Sequence, residues 1–478
     1  MEALYMKRLL ILVGFASILV LSGSAQPKKV FAYPVNKVTL ENGLDLIVIE
    51  MPEFKDVLSF NMLVLAGARN ETEKGKTGFA HLFEHIMFRH KYEGELNGYD
   101  KAMDRMGAFN NAWTWFDVTF YHPLTFAFNL DSQSLPGGEK RPGLLELEAS
   151  RFASLAFDKK IFQTESGAVL GEYRKSATDP GLAIDEKMLE LAFPKHSYGH
   201  TTIGTYQDVV DMPNQYDYAV WFYDTYYRPN NCVLVVSGDV KKDNILPKIR
   251  NVFGKWKPKP TPDVTVQDPP QAGVNRGHVD WDADVPPRVH VAYKLPAYKT
   301  GSVETAVGQV LPELLVSESA PMYKSLRYDK KTVSRLYFSG GTATYEGFDA
   351  RLVNCAARLY PDQYKAEGTS YLGEVEKDIV TGFEALKSFS ESTGAAEILE
   401  TIKSKYKYDF LAAMDSPANV AQTFALYYRF ERDPDVLNKL IQSVENLKPA
   451  DIDAFAARYF VDTNRTVVTM AGKGGSGQ

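Results

Sequence analysis

Three residues of the pentapeptide HLFEH have the types and the spacing of a metal-binding catalytic group. His81 and His85 are four residues apart and Glu84 lies between them, so on a helix all three side chains project from one face. Two neutral imidazoles suit Zn²⁺, and a carboxylate beside them can take a proton from water whose pKa the metal has lowered. Two histidines four apart also occur on solvated helix faces, but the complete H-x-x-E-H pattern is far more specific. The pattern therefore points to metal-assisted hydrolysis.

A third metal ligand is expected from elsewhere in the chain, because a catalytic zinc site typically has three protein ligands. The segment TESGAVLGE supplies Glu165 and Glu172, which are seven residues apart and share one face if the segment is helical. One of them could bind a metal while the other holds a histidine. Two solvated glutamates are the simpler interpretation of this segment taken alone.

The elements that must position these residues begin in the order strand, strand, helix. Residues 40–50 and 58–69 have the apolar patterns of strands, and residues 77–88 have the length and spacing of a helix. Strand-like residues 288–296, a helical segment and strand-like residues 335–341 begin a similar succession of strands and a helix after the proline-rich stretch. We therefore predict an α+β protein of two similar domains, each a mostly antiparallel sheet with helices packed on one face. Two unrelated domains are the alternative.

Composition sets the predicted boundaries. The stretch KWKPKPTPDVTVQDPPQ contains five prolines and predicts a proline-rich linker over residues 255–272. It separates an N-terminal metal-bearing domain, residues 33–254, from a homologous C-terminal domain without the metal motif, residues 273–475. Residues 1–25 have the form of a signal peptide, with Lys and Arg before a short apolar run and small residues at its end.

Charge and cysteine content exclude some classes of protein. The 478 residues carry a formal net charge of −6 without long like-charge runs, which disfavours a nucleic-acid partner. Cys232 and Cys355 lie in apolar runs far apart in the sequence, which favours buried thiols over a disulfide. Removal of the leader would leave no membrane span and predicts a periplasmic or secreted protein, whereas an uncleaved leader would act as an anchor.

Several stretches in series resemble the pitrilysin/insulinase family of zinc peptidases, and the resemblance covers nearly the whole mature chain. These stretches are LENGLDLIV (40–48), AGARNETEKGKTGFAHLFEHIMF (66–88), GAFNNAWTWFDVTFY (107–121), LELEASRFASLAF (145–157), ESGAVLGEYRK (165–175), HSYGHTTIG (196–204) and YYRPNNCVLVVSGDV (226–240).

The resemblance implies a role for each residue of the predicted metal site. His81, His85 and Glu172 resemble the three zinc ligands, Glu84 resembles the general base, and Glu165 takes the place of the residue that holds a ligand. The interval from His85 to Glu172 is longer than the family usually shows. We attribute the excess to a surface insertion over residues 128–142, which are rich in Gly, Pro and Ser. Without such an insertion, Glu165 would be the ligand.

The same resemblance implies how a peptide substrate is held. Asn111 and Ala112 match the family's edge strand, to which an extended peptide adds main-chain hydrogen bonds, although Asn111 alone could be a turn residue. Arg327 matches the arginine of the family's substrate-anchoring Arg/Tyr pair, but Ser334 stands where the tyrosine would be. In short-chain relatives the zinc half-site and the Arg/Tyr half-site can lie on different subunits. We therefore expect a homologous partner carrying that pair, or a homodimer.

These observations predict a zinc-dependent endopeptidase subunit that hydrolyses small or unfolded polypeptides, with Glu84 as general base. A non-catalytic structural or assembly subunit on the same scaffold is the main alternative. The intact HLFEH argues against that alternative, because a scaffold has no need of the glutamate. A processing enzyme for targeting peptides is a third possibility that fits the export signal poorly.

Overall fold

The computed structural model describes residues 30–95, 97–339 and 346–472, and the leader predicted over residues 1–25 lies outside them. The strands of the first half are β1 (Val35–Thr39), β2 (Asp45–Glu50), β3 (Val57–Val64), β4 (Ala112–Thr114), β5 (Thr119–Tyr121), β6 (Leu124–Phe126), β7 (Gln133–Ser134), β8 (Lys140–Arg141) and β9 (Cys232–Gly238). Its helices are α1 (Phe79–Phe88), α2 (Gly98–Arg105), α3 (Leu144–Ser154), α4 (Lys159–Ser176), α5 (Pro180–Ala192), α6 (Tyr206–Asp211), α7 (Tyr216–Tyr226) and α8 (Lys242–Phe253).

The second half follows residues 258–272, which form neither helix nor strand and which are rich in proline, a residue without a backbone N–H. Its strands are β10 (Asn275–Trp281), β11 (Arg288–Leu295), β12 (Val333–Phe338), β13 (Arg351–Leu359) and β14 (Arg465–Gly472). Its helices are α9 (Val303–Leu315), α10 (Pro321–Lys324), α11 (Pro361–Glu367), α12 (Thr369–Ala385), α13 (Ala395–Ala412), α14 (Pro417–Glu431), α15 (Val436–Glu445) and α16 (Pro449–Tyr459), with a π-helical turn, Ser325–Asp329, after α10.

The two halves share one strand order. The first sheet runs β1-β2-β9-β3-β5-β4, with β6 beside β3, and the second runs β10-β14-β11-β13-β12. In each sheet the last strand of the half lies between two early strands, parallel to one and antiparallel to the other. A hairpin, β4–β5 or β12–β13, completes the far edge. This shared order confirms the predicted α+β fold of two similar halves with mostly antiparallel sheets.

Each sheet is covered on both faces, and one cover comes from the other half. On the first sheet, Ile47 and Val235 pack against Phe424 of α14, whereas the opposite face packs against α1 and its neighbours. On the second sheet, Val468 packs against Ile184 of α5. The sequence predicts a cover on one face, and the exchange of helices adds a cover on the other. This explains why every residue of the central strand β9 is buried.

Smaller features also agree with the sequence. Cys232 and Cys355 are buried free thiols, as predicted. Residues 128–142 are mostly exposed and contain the β7–β8 hairpin, as expected of a surface insertion. Within the described part of the chain, no helix is both long enough and apolar enough to cross a lipid bilayer.

Candidate metal centre

One face of helix α1 packs against the core, and the other face carries the predicted metal-site residues of HLFEH. Phe83 and Ile86 are fully buried, whereas His81, Glu84 and His85 are partly exposed. The 3.6-residue period of the helix produces this division, because apolar residues alternate in pairs with the three polar ones. The local sequence therefore determines which side of the helix is buried and which side carries the polar side chains.

The start of α1 is held by a buried carboxylate. Glu71 accepts hydrogen bonds from the backbone N–H groups of Gly78, at 2.8 Å, and Ala80, at 2.7 Å. A carboxyl group at a helix N-terminus satisfies otherwise unpaired backbone donors, and burial raises the pKa of Glu71 to about 8 in spite of these hydrogen bonds. Gly78 has a φ of 89°, and a Cβ there would approach the carbonyl oxygen of Ile203 within 2.6 Å. Glycine at this position therefore permits both the turn and the close packing.

His81, His85 and Glu172 converge on one point. Glu172 Oε2 lies 3.5 Å from His81 Nε2 and 3.5 Å from His85 Nε2. One ligand atom from each of the three residues lies within 4.8 Å of the others. Helix α4 makes this meeting possible because it packs beside α1 and presents Glu172 near its C-terminal end.

Glu165 lies on the side of the His85 ring that is opposite to Glu172. Its Oε2 is 3.6 Å from His85 Nδ1, the ring nitrogen that faces away from Glu172, and its Oε1 accepts a hydrogen bond from Arg89 at 2.8 Å. Burial would raise the pKa of Glu165, but His85 and Arg89 outweigh burial and lower it. A carboxylate on the second nitrogen of a ligating histidine fixes its tautomer and orientation. Of the two glutamates, Glu172 has an oxygen near both imidazoles, whereas Glu165 contacts only the far side of His85.

The donor types of the three residues suit a zinc ion, and so do the two separations that involve Glu172. Tetrahedral zinc with ligands at about 2.0–2.1 Å places its ligand atoms about 3.3 Å apart, close to the 3.5 Å separations from Glu172 Oε2 to the two imidazoles. Burial lowers the pKa of His81 to about 4, which keeps this imidazole neutral and able to donate a lone pair at neutral pH. His81 Nδ1 is buried without a hydrogen-bond partner among the described residues.

His85 sits among carboxylates. Burial alone would lower its pKa, but Glu165, Glu172 and Glu84 outweigh burial and raise it. A metal ion at this point would compete with the proton for the ring nitrogen, and its binding would release that proton.

Glu84 lies beside the cluster of His81, His85 and Glu172 without belonging to it. Its Oε2 accepts a hydrogen bond from the hydroxyl of Thr114 at 2.7 Å, which ties α1 to strand β4. Burial raises the pKa of Glu84, and the Thr114 hydrogen bond offsets part of that effect. A carboxylate with a raised pKa is a better proton acceptor than a solvated one, as a general base requires.

A cavity of about 430 Å³ opens onto this cluster. His81 and Glu172 line it from the first half, together with Phe116 after β4 and Asp185 of α5, and Asn354 of β13 lines it from the second half. A cavity of this size can hold one or two side chains of a bound ligand.

The predicted substrate residues lie in two different places. Ala112 begins β4, the edge strand of the first sheet, and Asn111 precedes it and accepts a hydrogen bond from the N–H of Ala112. This edge runs next to Glu84, because Thr114 belongs to the same strand. Arg327 lies in the π-helical turn and donates to the hydroxyl of Tyr360. It is not among the described residues that line the cavity.

Several residues of the site were not predicted. Thr114 contacts Glu84 from 30 residues away in the sequence, and a single sequence carries no local signal for such a contact. Glu71 bonds to residues only seven and nine positions later, but no sequence pattern singled it out. Arg89 could have been found, because it lies four residues after His85 and so shares its helix face.

Comparison with known protein families shows which family the chain belongs to. Residues 46–206 match the insulinase (peptidase family M16) domain, and residues 216–387 match the M16 inactive domain that follows it. The chain belongs to the M16 insulinase family. The first match contains His81, Glu84, His85 and Glu172, whereas the second is of the domain type described as inactive. Among the described residues, the one group that could hold a metal ion lies in the first half.

Individual members of the M16 family match this chain over different lengths. The zinc protease PqqE of Helicobacter pylori is 29% identical over 465 residues, which cover 96% of this chain and 98% of that protein. The crystal structure of a protease from Helicobacter pylori has a TM-score of 0.80 at 27% identity, covering 92% of this chain and 99% of that one. The mitochondrial-processing peptidase subunit beta of Bos taurus is 25% identical over 235 residues, 49% of this chain and 45% of that protein.

Proposed function

We propose that this M16 protein is a zinc-dependent endopeptidase that hydrolyses small or unfolded polypeptides. The observation that carries the proposal is the placement of Glu84 beside the His81, His85 and Glu172 cluster and next to edge strand β4. A scaffold protein needs neither a proton acceptor at this point nor, beside it, a strand edge that no other described strand pairs with. The similarity to a zinc protease over nearly the whole length supports the same conclusion.

His81, His85 and Glu172 would hold the zinc ion, and Glu165 would orient His85. When bound, the ion supplies Lewis-acid chemistry that lowers the pKa of water and polarises a carbonyl group. Glu84 would accept a proton from the attacking water and pass it to the leaving amine. Asn111 and Ala112 would hold the extended substrate through main-chain hydrogen bonds to the sheet edge.

Cleavage of an unstructured peptide tests this proposal. We expect the zinc-loaded protein to cut internal peptide bonds, which mass spectrometry of the products would show. A chelator should stop cleavage, and added zinc should restore it. The alternative function, a non-catalytic assembly subunit, predicts an intact peptide under all three conditions, and that result would contradict our proposal.

We further propose that full activity needs a second subunit. Arg327 is bound to Tyr360, and Ser334 occupies the position expected for the tyrosine of the substrate-anchoring pair. A homologous subunit with an intact Arg/Tyr pair, or a second copy of this chain, would complete the site. Such a partner should raise cleavage at least about 10-fold, because one lost oxyanion-stabilising donor typically costs about 10²- to 10³-fold in rate. Full activity of a monomer, verified by light scattering, would contradict this.

The leader predicted over residues 1–25 supports a further proposal, that the protein acts in the periplasm or outside the cell. Detection of the processed chain in the periplasmic or secreted fraction would test it, and a full-length cytoplasmic product would contradict it.

A further inference from the structure

The second half of the molecule contains a separate cavity of about 690 Å³. Its lining comes from the end of α9, from α10 and the π-helical turn after it, from α12 and from α13. No member of the His81, His85 and Glu172 cluster contributes to it. Small-molecule sites in proteins typically have volumes of about 300–1,000 Å³. The cavity is therefore a candidate binding site apart from the proposed peptidase centre.

The wall of this cavity is largely apolar. Leu314, Leu326, Phe389 and Ile402 line it from four different elements, and each of these side chains is buried. Ile398 of α13 also lines it and is 44% exposed. Contact between water and an apolar surface of this kind is unfavourable. An apolar ligand that covered the surface would therefore be bound favourably.

One part of the wall is suited to ligands of variable shape. Met322 of α10 packs against α12 at Gly382, where a Cβ would lie only 2.2 Å from Met322 Sδ. Both residues line the cavity, so the glycine makes room for the methionine in the wall. A methionine side chain has three rotatable bonds and adapts to irregular spaces. The wall can therefore adjust to a flexible apolar chain.

The cavity also borders the π-helical turn, Ser325–Asp329. Leu326 in this turn lines the cavity, whereas the adjacent Arg327 donates to the hydroxyl of Tyr360. Short π-helical segments inside helices occur frequently at functional sites. The irregular turn is thus a second feature, besides the volume, that is typical of a binding site.

The charged residues that line the cavity have partners, with one exception. Asp378 accepts a hydrogen bond from Lys330 at 2.7 Å, and Glu313 forms an ion pair with Lys405 at 3.1 Å. Lys324 of α10 is exposed, and no described residue forms a hydrogen bond or an ion pair with its ammonium group. An unpaired ammonium group beside an apolar cavity is complementary to a ligand with an apolar body and one negative charge.

From these observations we propose that the cavity binds the acyl chain of a fatty acid, whose carboxylate pairs with the ammonium group of Lys324. The compact charge of a lysine suits a single carboxylate, and its methylene stem can lie along the acyl chain. The inference goes beyond the proposed peptidase function and does not depend on it, because it involves no residue of the metal cluster.

Isothermal titration calorimetry of the zinc-loaded full chain tests this proposal. The ligands are octanoate, decanoate and dodecanoate, each kept below its micelle concentration, and 1-decanol is the uncharged counterpart of decanoate. A carboxylate could also bind to the zinc ion, so the test needs variants that alter the cavity and leave the metal site unchanged.

We expect one fatty acid per chain, with an affinity that rises about 2- to 4-fold for each added methylene, because each buried methylene adds to the transfer free energy. Lys324→Met should weaken decanoate about 3- to 10-fold, as the loss of a partly solvated charged hydrogen bond predicts. It should leave the affinity for 1-decanol within about 2-fold. Lys377→Met is the matched control, because Lys377 is an exposed lysine of α12 outside the described lining. It should bind both ligands as the parent does.

A second variant tests the position of the acyl chain. Ala385 lies at the end of α12 and lines the cavity, so the indole of Ala385→Trp would compete with the ligand for this space. We expect the affinities for decanoate and 1-decanol both to fall at least about 10-fold. Ala412→Trp is the control, because Ala412 is an exposed alanine at the end of α13 outside the described lining.

The outcomes decide the proposal even if one variant fails to fold. No binding of dodecanoate would overturn it, as would an unchanged affinity for decanoate in either folded variant, which would point to the zinc ion or to another surface. Equal losses of decanoate and 1-decanol in Lys324→Met would also overturn it. If circular dichroism shows that Ala385→Trp is unfolded, the exposed Lys324 substitution decides alone. The expected binding without any peptide cleavage would support the fatty-acid site and contradict only the peptidase function.

Discussion

Replacement of Glu84 by glutamine is expected to abolish measurable peptide cleavage while the protein keeps its zinc. Glutamine preserves the size of the side chain and can still pair with Thr114, but it cannot accept the proton of the attacking water. General acid–base groups typically contribute about 10²- to 10⁴-fold to a rate. We therefore expect a loss in this range in kcat, with zinc content unchanged by atomic absorption.

Glu73→Gln is the control for this substitution. Glu73 is an exposed carboxylate a few residues before α1, so its replacement changes the net charge by the same amount near the same helix. Activity of Glu73→Gln should match the parent. Turnover near the parental rate in zinc-loaded Glu84→Gln would remove Glu84 as the base.

Replacement of Glu172 by glutamine should empty the metal site. Glu172 Oε2 is the atom that lies 3.5 Å from both imidazoles, and a neutral amide is a poor zinc ligand. We expect zinc affinity to fall by much more than the about 10- to 100-fold typical of a lost supporting residue. His81→Ala and His85→Ala should do the same, and each variant should keep its fold, because these side chains are partly exposed.

Glu165→Gln provides the matched comparison within the same helix. It removes the carboxylate behind His85 and the ion pair with Arg89, so zinc affinity should fall only about 10- to 100-fold. Competition with a chelator of known affinity would measure both variants. An empty site in Glu165→Gln together with a full site in Glu172→Gln would reverse the assignment of the two glutamates.

The sequence predicts those parts of the site that depend on local geometry. His81, Glu84 and His85 share a face because of the helical period alone, and the structure brings all three together. Spacing also placed Glu165 and Glu172 on one helix face, but spacing could not decide between them. That decision depends on which ring nitrogen of His85 faces which carboxylate, a contact between two helices whose packing a single sequence does not specify.

The sequence did not predict how the two halves pack against each other, for a related reason. The apolar face of α14 predicts that the helix is buried, yet nothing in its sequence says that it covers the first sheet instead of the second. Asp185 and Asn354 meet in one cavity only because the halves exchange α5 and α14. Such contacts follow from tertiary packing, which a pattern of apolar residues constrains without defining.

The most direct test of zinc-dependent peptide cleavage is a titration of zinc-free protein with zinc. The rate of peptide cleavage is then measured on the same samples. We predict that activity rises in proportion to bound zinc and saturates at one ion per chain, as expected of a single site formed by His81, His85 and Glu172. Two results would contradict the account. One is activity that does not depend on the zinc content, and the other is an absence of cleavage when one ion is bound per chain and the partner subunit is present.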